Sequence, residues 1–296
     1  MLDVALARPA SVEETLSILA EHGEDATVLA GGTAVVLLLR QGLISPAVVV
    51  SLDRLEELRG IVDGGGSGLR LGSLVPLRQV ETSALVRTRH PTLAATLARV
   101  ANVRIRHAAT VGGNLAEADY ASDPPCVLWA LRARARVRSV RAERELPIAE
   151  LLSGYYRTSL APDELLTEVV VPDAPARSGS CYQRLVTGSS EDRPCAGAAA
   201  VVRTDEHGRC DELRVVASAV GPVPVELEAA EGMAIGQPRS DELVGEIAST
   251  YAREIEPLSD VRGSSWYRKR AIEVLVRRAL GAAFDAALAG GDGPVG

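Results

Sequence analysis

Between Ser11 and His22 apolar residues recur every three or four positions, with Glu13 and Glu14 at the front and Gly23 just past the end. That spacing predicts a helix capped by Ser11, its first turn favoured by the two acids. Thr27-Val28-Leu29-Ala30 and Ala47-Val48-Val49-Val50-Ser51-Leu52 are short apolar runs that predict strands, with a second helical run from Thr33 to Arg40 between them. Together they make a small β-α-β-α-β unit.

The pattern changes at Leu58. Gly60-Ile61-Val62 and Leu69-Arg70-Leu71 flank Gly64-Gly65-Gly66-Ser67-Gly68, which reads as the flexible loop of a hairpin. A helix is predicted from Leu93 to Val100. Another opens at Pro124-Pro125 and runs through Ala130, because proline is tolerated in a first helical turn. Strands follow at Ala135 to Val140 and Glu168 to Val171. Asp173 to Ser180, rich in Ala, Pro, Ser and Gly, predicts a linker. Beyond it Gly197 to Arg203 and Leu213 to Val220 predict strands joined by the turn Asp205-Glu206-His207-Gly208. From Ser240 onward the pattern is helical, with a break at Pro257.

A length of 296 residues allows two or three packed units, and 47% hydrophobic with 24% charged residues suits a soluble globular chain. The net charge of −7 argues against nonspecific nucleic-acid binding, which needs a basic surface. Arg132 to Arg144 is basic, but its arginines alternate with Ala, Val and Ser, as on a strand with one solvated face. The apolar run from Val28 to Leu39 is too short to span a bilayer and is broken by glycines, so no membrane insertion is expected. The N-terminus lacks a basic start followed by an apolar core. Cys126, Cys181, Cys195 and Cys210 form no Cys-x-x-Cys pair, so reduced thiols, a cytoplasmic location and no iron–sulfur cluster of its own are expected. Four dispersed histidines predict no metal site.

The candidate chemistry lies in two glycine segments. Thr110-Val111-Gly112-Gly113-Asn114 is followed nine residues later by Asp123, and Leu29-Ala30-Gly31-Gly32-Thr33 precedes it upstream. Glycine permits positive φ and close approach of backbone amides to a ligand, and successive amides form concave anion sites suited to a pyrophosphate. Two such turns suggest one dinucleotide gripped from two sides. Neither fits Gly-x-Gly-x-x-Gly or a phosphate loop ending in Gly-Lys-Ser/Thr.

In order along almost the whole chain come Ala30-Gly31-Gly32-Thr33, Leu71-Gly72-Ser73-Leu74, Ala109 to Asn114, Ala121-Ser122-Asp123-Pro124 and Glu164-Leu165-Leu166-Thr167. Gly221-Pro222-Val223-Pro224, Asp260-Val261-Arg262-Gly263-Ser264 and Tyr267-Arg268 follow. This set resembles the FAD-binding medium subunits of molybdenum hydroxylases, which include the flavin subunit of aerobic carbon monoxide dehydrogenase and the flavin domain of xanthine dehydrogenase. The resemblance implies an α+β fold. A two-part FAD-binding domain of the vanillyl-alcohol-oxidase/PCMH type would occupy residues 1–175, in parts of about 1–57 and 58–175. A small antiparallel sheet with helices, like the C-terminal domain of carbon monoxide dehydrogenase flavoprotein, would occupy 177–286.

It also implies the site. FAD would lie extended between the parts, with Leu29, Ala30, Gly31, Gly32, Thr33, Ala34 and Val35 on one side of its pyrophosphate. Thr110, Gly112, Gly113 and Asn114 would line the other, with backbone amides supplying most of the anion site. Asp123 would accept from a cofactor hydroxyl, a charge-assisted bond, or would cap the helix that begins at Pro124. Val100 and Ala101 match positions near the adenine or its ribose, or else belong to the core. Leu166 matches a residue packed on the isoalloxazine. Arg184 stands where relatives often have lysine near the flavin, keeping the charge with a different geometry. Arg193-Pro194 replaces an aromatic or aliphatic residue. That cation would either stabilise reduced flavin or gate the acceptor, or would be a surface arginine paired with Glu191 or Asp192. Tyr120 replaces a frequent proline.

No set of residues resembles a nucleophilic triad or a molybdenum pocket, so no catalytic side chain is assigned and the flavin would carry the redox chemistry. The resemblance implies a molybdenum-cofactor subunit that oxidises a small substrate and an iron–sulfur subunit whose [2Fe–2S] clusters feed this FAD. Electrons would leave for NAD+, oxygen or a quinone. The alternative is a self-sufficient FAD-dependent oxidoreductase acting directly on a small molecule.

Overall fold

The structure, a computed structural model, describes residues 4–290. At the N-terminus Ala5–Ala7, Val48–Ser51 and Ala26–Leu29 form a parallel sheet with Val48–Ser51 in the centre. The helix Val12–His22 begins as predicted, with Ser11 Oγ accepting from the Glu14 amide at 3.1 Å. It buries Val12, Leu16 and Leu19 in a core shared with Val48, Val50 and Leu52. The central strand is buried at every position, as a strand covered on both faces must be. The edge strand Ala26–Leu29 stays partly exposed along its length, and the apolar helix Val35–Arg40 buries none of its residues.

The next unit is a five-stranded antiparallel sheet, in the order Ile61–Asp63, Leu69–Gly72, Leu165–Val171, Arg134–Arg138 and Glu143–Pro147. Arg134, Arg136 and Arg138 alternate with buried Ala135 and Val137, as the sequence predicts for a strand with one solvated face. On that face Glu168 pairs with Arg70 and Arg136, each at 2.8 Å. The other face is covered by short helices, among them Leu77–Thr82, Pro91–Leu97, Val111–Glu117 and Asp123–Ala130.

In the C-terminal part Ser178–Leu185, Ala196–Thr204, Cys210–Ser218 and Val225–Glu226 make an antiparallel sheet. Both faces are buried. Cys181, Ala198, Ala200, Val202, Val215 and Ala217 meet the helices Asp241–Glu254 and Ser265–Leu288, whereas Tyr182, Ala199, Val201 and Val216 join the core of the preceding unit. This explains why Ala196 to Val202 reads as an unbroken apolar run.

Several elements depart from the sequence reading. The linker is shorter than Asp173 to Ser180, because Ser178 already pairs with Arg203 at the start of a strand. The strand predicted from Glu168 begins at Leu165, so Leu166 lies in the sheet. Leu77–Thr82, Ala84–Arg89 and Val103–Ala108 are helices of six residues, too short for periodicity to show. Their available signals were caps: Ser83 accepts from the Val86 amide at 3.4 Å and Asn102 from the Ile105 amide at 3.1 Å. Among the described residues no helix is long and apolar enough to cross a membrane.

Candidate cofactor site

The two glycine segments meet. A β-carbon built on Gly31 would lie 1.9 Å from the Ala108 carbonyl oxygen, and one built on Gly113 would lie 3.6 Å from Ala30 Cβ. Only glycine at position 31 lets the end of the edge strand approach the backbone that leads into Thr110.

The segments are not equivalent. At the first, the backbone amides of Ala30, Gly31, Gly32, Thr33 and Ala34 have no acceptor among the described residues, and neither does the Thr33 hydroxyl. Gly32 takes φ +73°, which curls the row. Leu29, whose carbonyl accepts from Leu52 at 3.0 Å, anchors its start, and all residues from Leu29 to Val35 are partly exposed. Consecutive unpaired amides in a curled segment form a concave anion site.

The second segment is not a loose turn but the start of the helix Val111–Glu117. Thr110 caps it, Oγ1 accepting from the Gly113 amide at 3.1 Å, and the Asn114 amide donates to the Thr110 carbonyl at 2.9 Å. The Gly112 amide donates to Ser73 O at 2.8 Å and the Val111 amide to Val75 O at 3.0 Å. The expectation that both segments present amides to the ligand is therefore corrected: those of Gly112, Gly113 and Asn114 are engaged within the protein. Gly112 instead allows contact with Ser73, whose Cβ would lie 2.5 Å from a β-carbon on it. What the segment offers is the Thr110 hydroxyl proton and its amide, which has no acceptor among the described residues. The Asn114 side chain is held by Ser122 Oγ at 3.0 and 3.1 Å.

That contact leads to Asp123, at the first turn of Asp123–Ala130. Its carboxylate is buried and bridged to the C-terminal sheet: Oδ1 accepts from the Tyr182 hydroxyl at 2.5 Å and Oδ2 from Arg184 Nη1 at 2.7 Å. Burial pushes the Asp123 carboxyl above its ordinary value, while Arg184 and the Tyr182 hydroxyl pull it down. Arg184 also donates to Ser190 O at 2.6 Å. Tyr182 escapes the sequence reading, although it lies two residues from Arg184 on one strand and so on the same face.

Val100 and Ala101 form a tight turn, Ala101 at φ +44°, and both carbonyls accept from buried Arg106 at 2.9 Å. Arg106 is held in turn by Glu81 at 2.9 Å. Leu166 is buried in the core of the antiparallel unit, beside a bulge between Leu166 and Glu168. Arg193 pairs with neither Glu191 nor Asp192. Its Nε lies 2.6 Å from Asp119 Oδ2, and Nη2 lies 3.7 Å from Glu117. Tyr120 donates to Asp260 at 2.5 Å and stacks edge-on against Tyr155 at 5.2 Å between centroids, tying this region to the loop before Ser265–Leu288. Among the described residues no group of His, Cys, Asp and Glu is disposed to hold a metal.

A curled row of free amides at the end of a parallel strand, faced by a helix whose capping threonine keeps its hydroxyl proton, is the donor set of a protein that binds an anionic cofactor such as a dinucleotide. FAD fits this site, since its pyrophosphate would meet unpaired backbone and hydroxyl donors, and the buried carboxylate of Asp123 is already matched by Tyr182 and Arg184. Residues 2–174 match the family described as FAD binding domain in molybdopterin dehydrogenase, and residues 181–283 match CO dehydrogenase flavoprotein C-terminal domain. The chain is 33% identical to 6-hydroxypseudooxynicotine dehydrogenase complex subunit alpha of Paenarthrobacter nicotinovorans, over 91% of this chain and 90% of that one. It is 28% identical to the carbon monoxide dehydrogenase medium chain of Hydrogenophaga pseudoflava, over 93% and 95%. A solved carbon monoxide dehydrogenase from H. pseudoflava, lacking the Mo-pyranopterin moiety, superposes with a TM-score of 0.91 at 29% identity, over 95% of this chain and 97% of that one. Quinoline 2-oxidoreductase from Pseudomonas putida 86 gives 0.89 at 27% identity, over 96% and 98%. The chain belongs to the FAD-binding subunits of the molybdenum hydroxylase family, the dehydrogenases of the xanthine and carbon monoxide type. FAD is its cofactor, and it is an oxidoreductase component.

Proposed function

We propose that this chain is the flavin subunit of a heteromeric, cytoplasmic molybdenum hydroxylase. It takes electrons from [2Fe–2S] clusters of an iron–sulfur subunit and delivers them to an acceptor such as NAD+, oxygen or a quinone. A molybdenum-cofactor subunit oxidises the substrate. The relatives' names, "medium chain" and "complex subunit alpha", support a place in such an assembly. The exposed apolar helix Val35–Arg40, with Leu37 at 55% exposure, supports a covered face beside the site.

The observation that carries the reading is the row of free amides from Ala30 to Ala34. These amides and the Thr33 and Thr110 hydroxyls hold the pyrophosphate, Gly31, Gly112 and Gly113 set the spacing, and Asp123 accepts from a cofactor hydroxyl. Val100 and Ala101 border the adenine end, Leu166 backs the ring from the core, and Arg184 favours the ionised form of Asp123 against its burial. Bound FAD supplies the redox chemistry, and the chain supplies orientation and charge. Residues 1–175 form the FAD-binding part, divided near 57, and 177–286 the C-terminal part.

The test is the visible spectrum of the purified chain after FAD addition and desalting, followed by co-purification with its partners and analysis for iron and molybdenum. Retained flavin bands, with both metals in the assembled complex, support the proposal. Bleaching of the flavin by a small substrate in the isolated chain, with neither metal recruited, overturns it in favour of a self-sufficient oxidoreductase.

A further inference from the structure

Asp123 and Tyr182 belong to different units, and the hydrogen bond between them is built on both sides. Tyr182 and Arg184 project from the same face of the strand Ser178–Leu185, and each donates to a different oxygen of Asp123, at 2.5 and 2.7 Å. Two donors, one per oxygen, fix the rotation of the carboxylate. An ionised carboxylate has about four acceptor sites, so each oxygen keeps a lone pair for a further donor. The phenol has reserved space: a β-carbon on Gly197 would lie 2.4 Å from the Tyr182 hydroxyl and 2.5 Å from Ser218 Oγ. Ser218 Oγ itself sits 3.4 Å from that hydroxyl.

We infer that Tyr182 is a positioning residue for FAD, orienting Asp123 from the C-terminal sheet so that the carboxylate meets a cofactor hydroxyl. This rests on the reading of Asp123 as a cofactor contact. Burial raises the Tyr182 hydroxyl well above its usual value, so it stays protonated and remains a donor. The charged and titratable groups facing Asp123 are Arg184, Tyr182, Arg99 and Cys126. Of these, Arg184, Arg99 and the Tyr182 hydroxyl favour the ionised carboxylate. Without the Tyr182 hydroxyl, Asp123 protonates more readily and becomes a poorer acceptor.

The experiment is a double-mutant cycle on the full-length chain, stripped of FAD and titrated with FAD by flavin fluorescence at pH 7 and pH 5. It compares wild type, Tyr182→Phe, Asp123→Asn and the double variant, with thermal unfolding of each apoprotein as a folding check. Tyr182→Phe is expected to weaken FAD binding about tenfold, as for loss of a hydrogen bond to a charged group, and by more at pH 5 than at pH 7. In the Asp123→Asn background the same change is expected to cost under about twofold. Gly197→Ala, which crowds the phenol, is expected to weaken binding in the same Asp123-dependent way and replaces Tyr182→Phe if that variant unfolds. If Asp123→Asn weakens binding but Tyr182→Phe costs nothing, or costs the same in both backgrounds, Tyr182 is a packing residue and the inference fails. Unchanged affinity in a folded Asp123→Asn variant overturns the cofactor contact itself.

Discussion

Gly31 faces the carbonyl oxygen of Ala108 so closely that a β-carbon at position 31 would stand 1.9 Å from it. The contact joins the parallel N-terminal sheet to the backbone just ahead of Thr110, so it sets the gap between the amide row and the capping threonine. Both partners are backbone, and neither can swing aside as a side chain does. Gly31→Ala is expected to lower stability by about 1–3 kcal/mol through overpacking and to weaken FAD retention. Gly66→Ala, where a β-carbon meets nothing within 4 Å, should change neither. Thermal melts and flavin content after desalting check both variants. Full FAD retention by Gly31→Ala would mean that the spacing of the two segments does not matter.

Arg193 and Asp119 give the second prediction. The arginine is half exposed and the carboxylate is buried, with Ala121 as a further amide donor at 3.0 Å. Exposed ion pairs contribute little, but this one has a desolvated partner. Arg193→Ala is expected to destabilise by about 1 kcal/mol, and Asp119→Ala by more, because it also removes the acceptor for the Ala121 amide. Urea unfolding at low and high salt checks the order. A larger loss for the arginine variant would contradict it.

His90 is buried, and its Nε2 has no partner among the described residues. Burial lowers its pKa to about 4 from an ordinary 6.5. Below pH 6.5 the unfolded chain therefore binds the proton first, and stability falls as pH drops from about 6.5 towards 4. The slope for one group is about 1.4 kcal/mol per pH unit at most. His90→Leu is expected to flatten the curve in that window, leaving the carboxylates' contribution lower down. Urea midpoints from pH 7 to pH 4 decide the matter, and identical slopes for the two proteins would refute it.

Long, regularly patterned elements were legible in the sequence. Val12–His22 carries its cap, its acidic first turn and its terminal glycine within one window. The alternation of Arg134, Arg136 and Arg138 with apolar residues announced a half-solvated strand. Ala30 to Thr33 could be singled out as a candidate anion site only together with the second glycine segment and the ordered motifs around it, because a glycine pair after a strand is by itself most often a turn, as Gly64 to Gly68 is. The second segment looked the same but behaves differently: Thr110 itself takes up the Gly113 and Asn114 amides, while Ser73 and Val75, over thirty residues away, take up those of Gly112 and Val111. Asp123 was legible as a candidate, yet its hold by Tyr182 is a contact between units separated by a sequence distance of 59 residues. Arg193 could be expected to find a carboxylate. That the carboxylate is Asp119 follows from how the chain folds back, which no local pattern records.

Glu231 gives the last prediction. It is buried beside Glu226, Arg132 and Arg214, and its Oε1 accepts from the Val215 amide at 2.9 Å. Burial raises its pKa to about 7 from 4.5, against the pull of that amide and the two arginines, with Glu226 adding to the rise. A carboxyl raised in the folded state contributes stability that is complete below pH 4.5 and is lost as pH climbs from 4.5 through 7. Glu231→Gln keeps the acceptor for Val215 and never ionises, so it should become more stable than wild type at pH 8 by on the order of 1–3 kcal/mol. At pH 5 the two proteins should differ little. Glu226 accepts from Trp129 Nε1 at 2.6 Å across the boundary between the units, so tryptophan fluorescence during urea unfolding reports the change where it acts. A variant less stable than wild type at pH 8 would mean that the ionised carboxylate, not the neutral one, is the form this cluster favours.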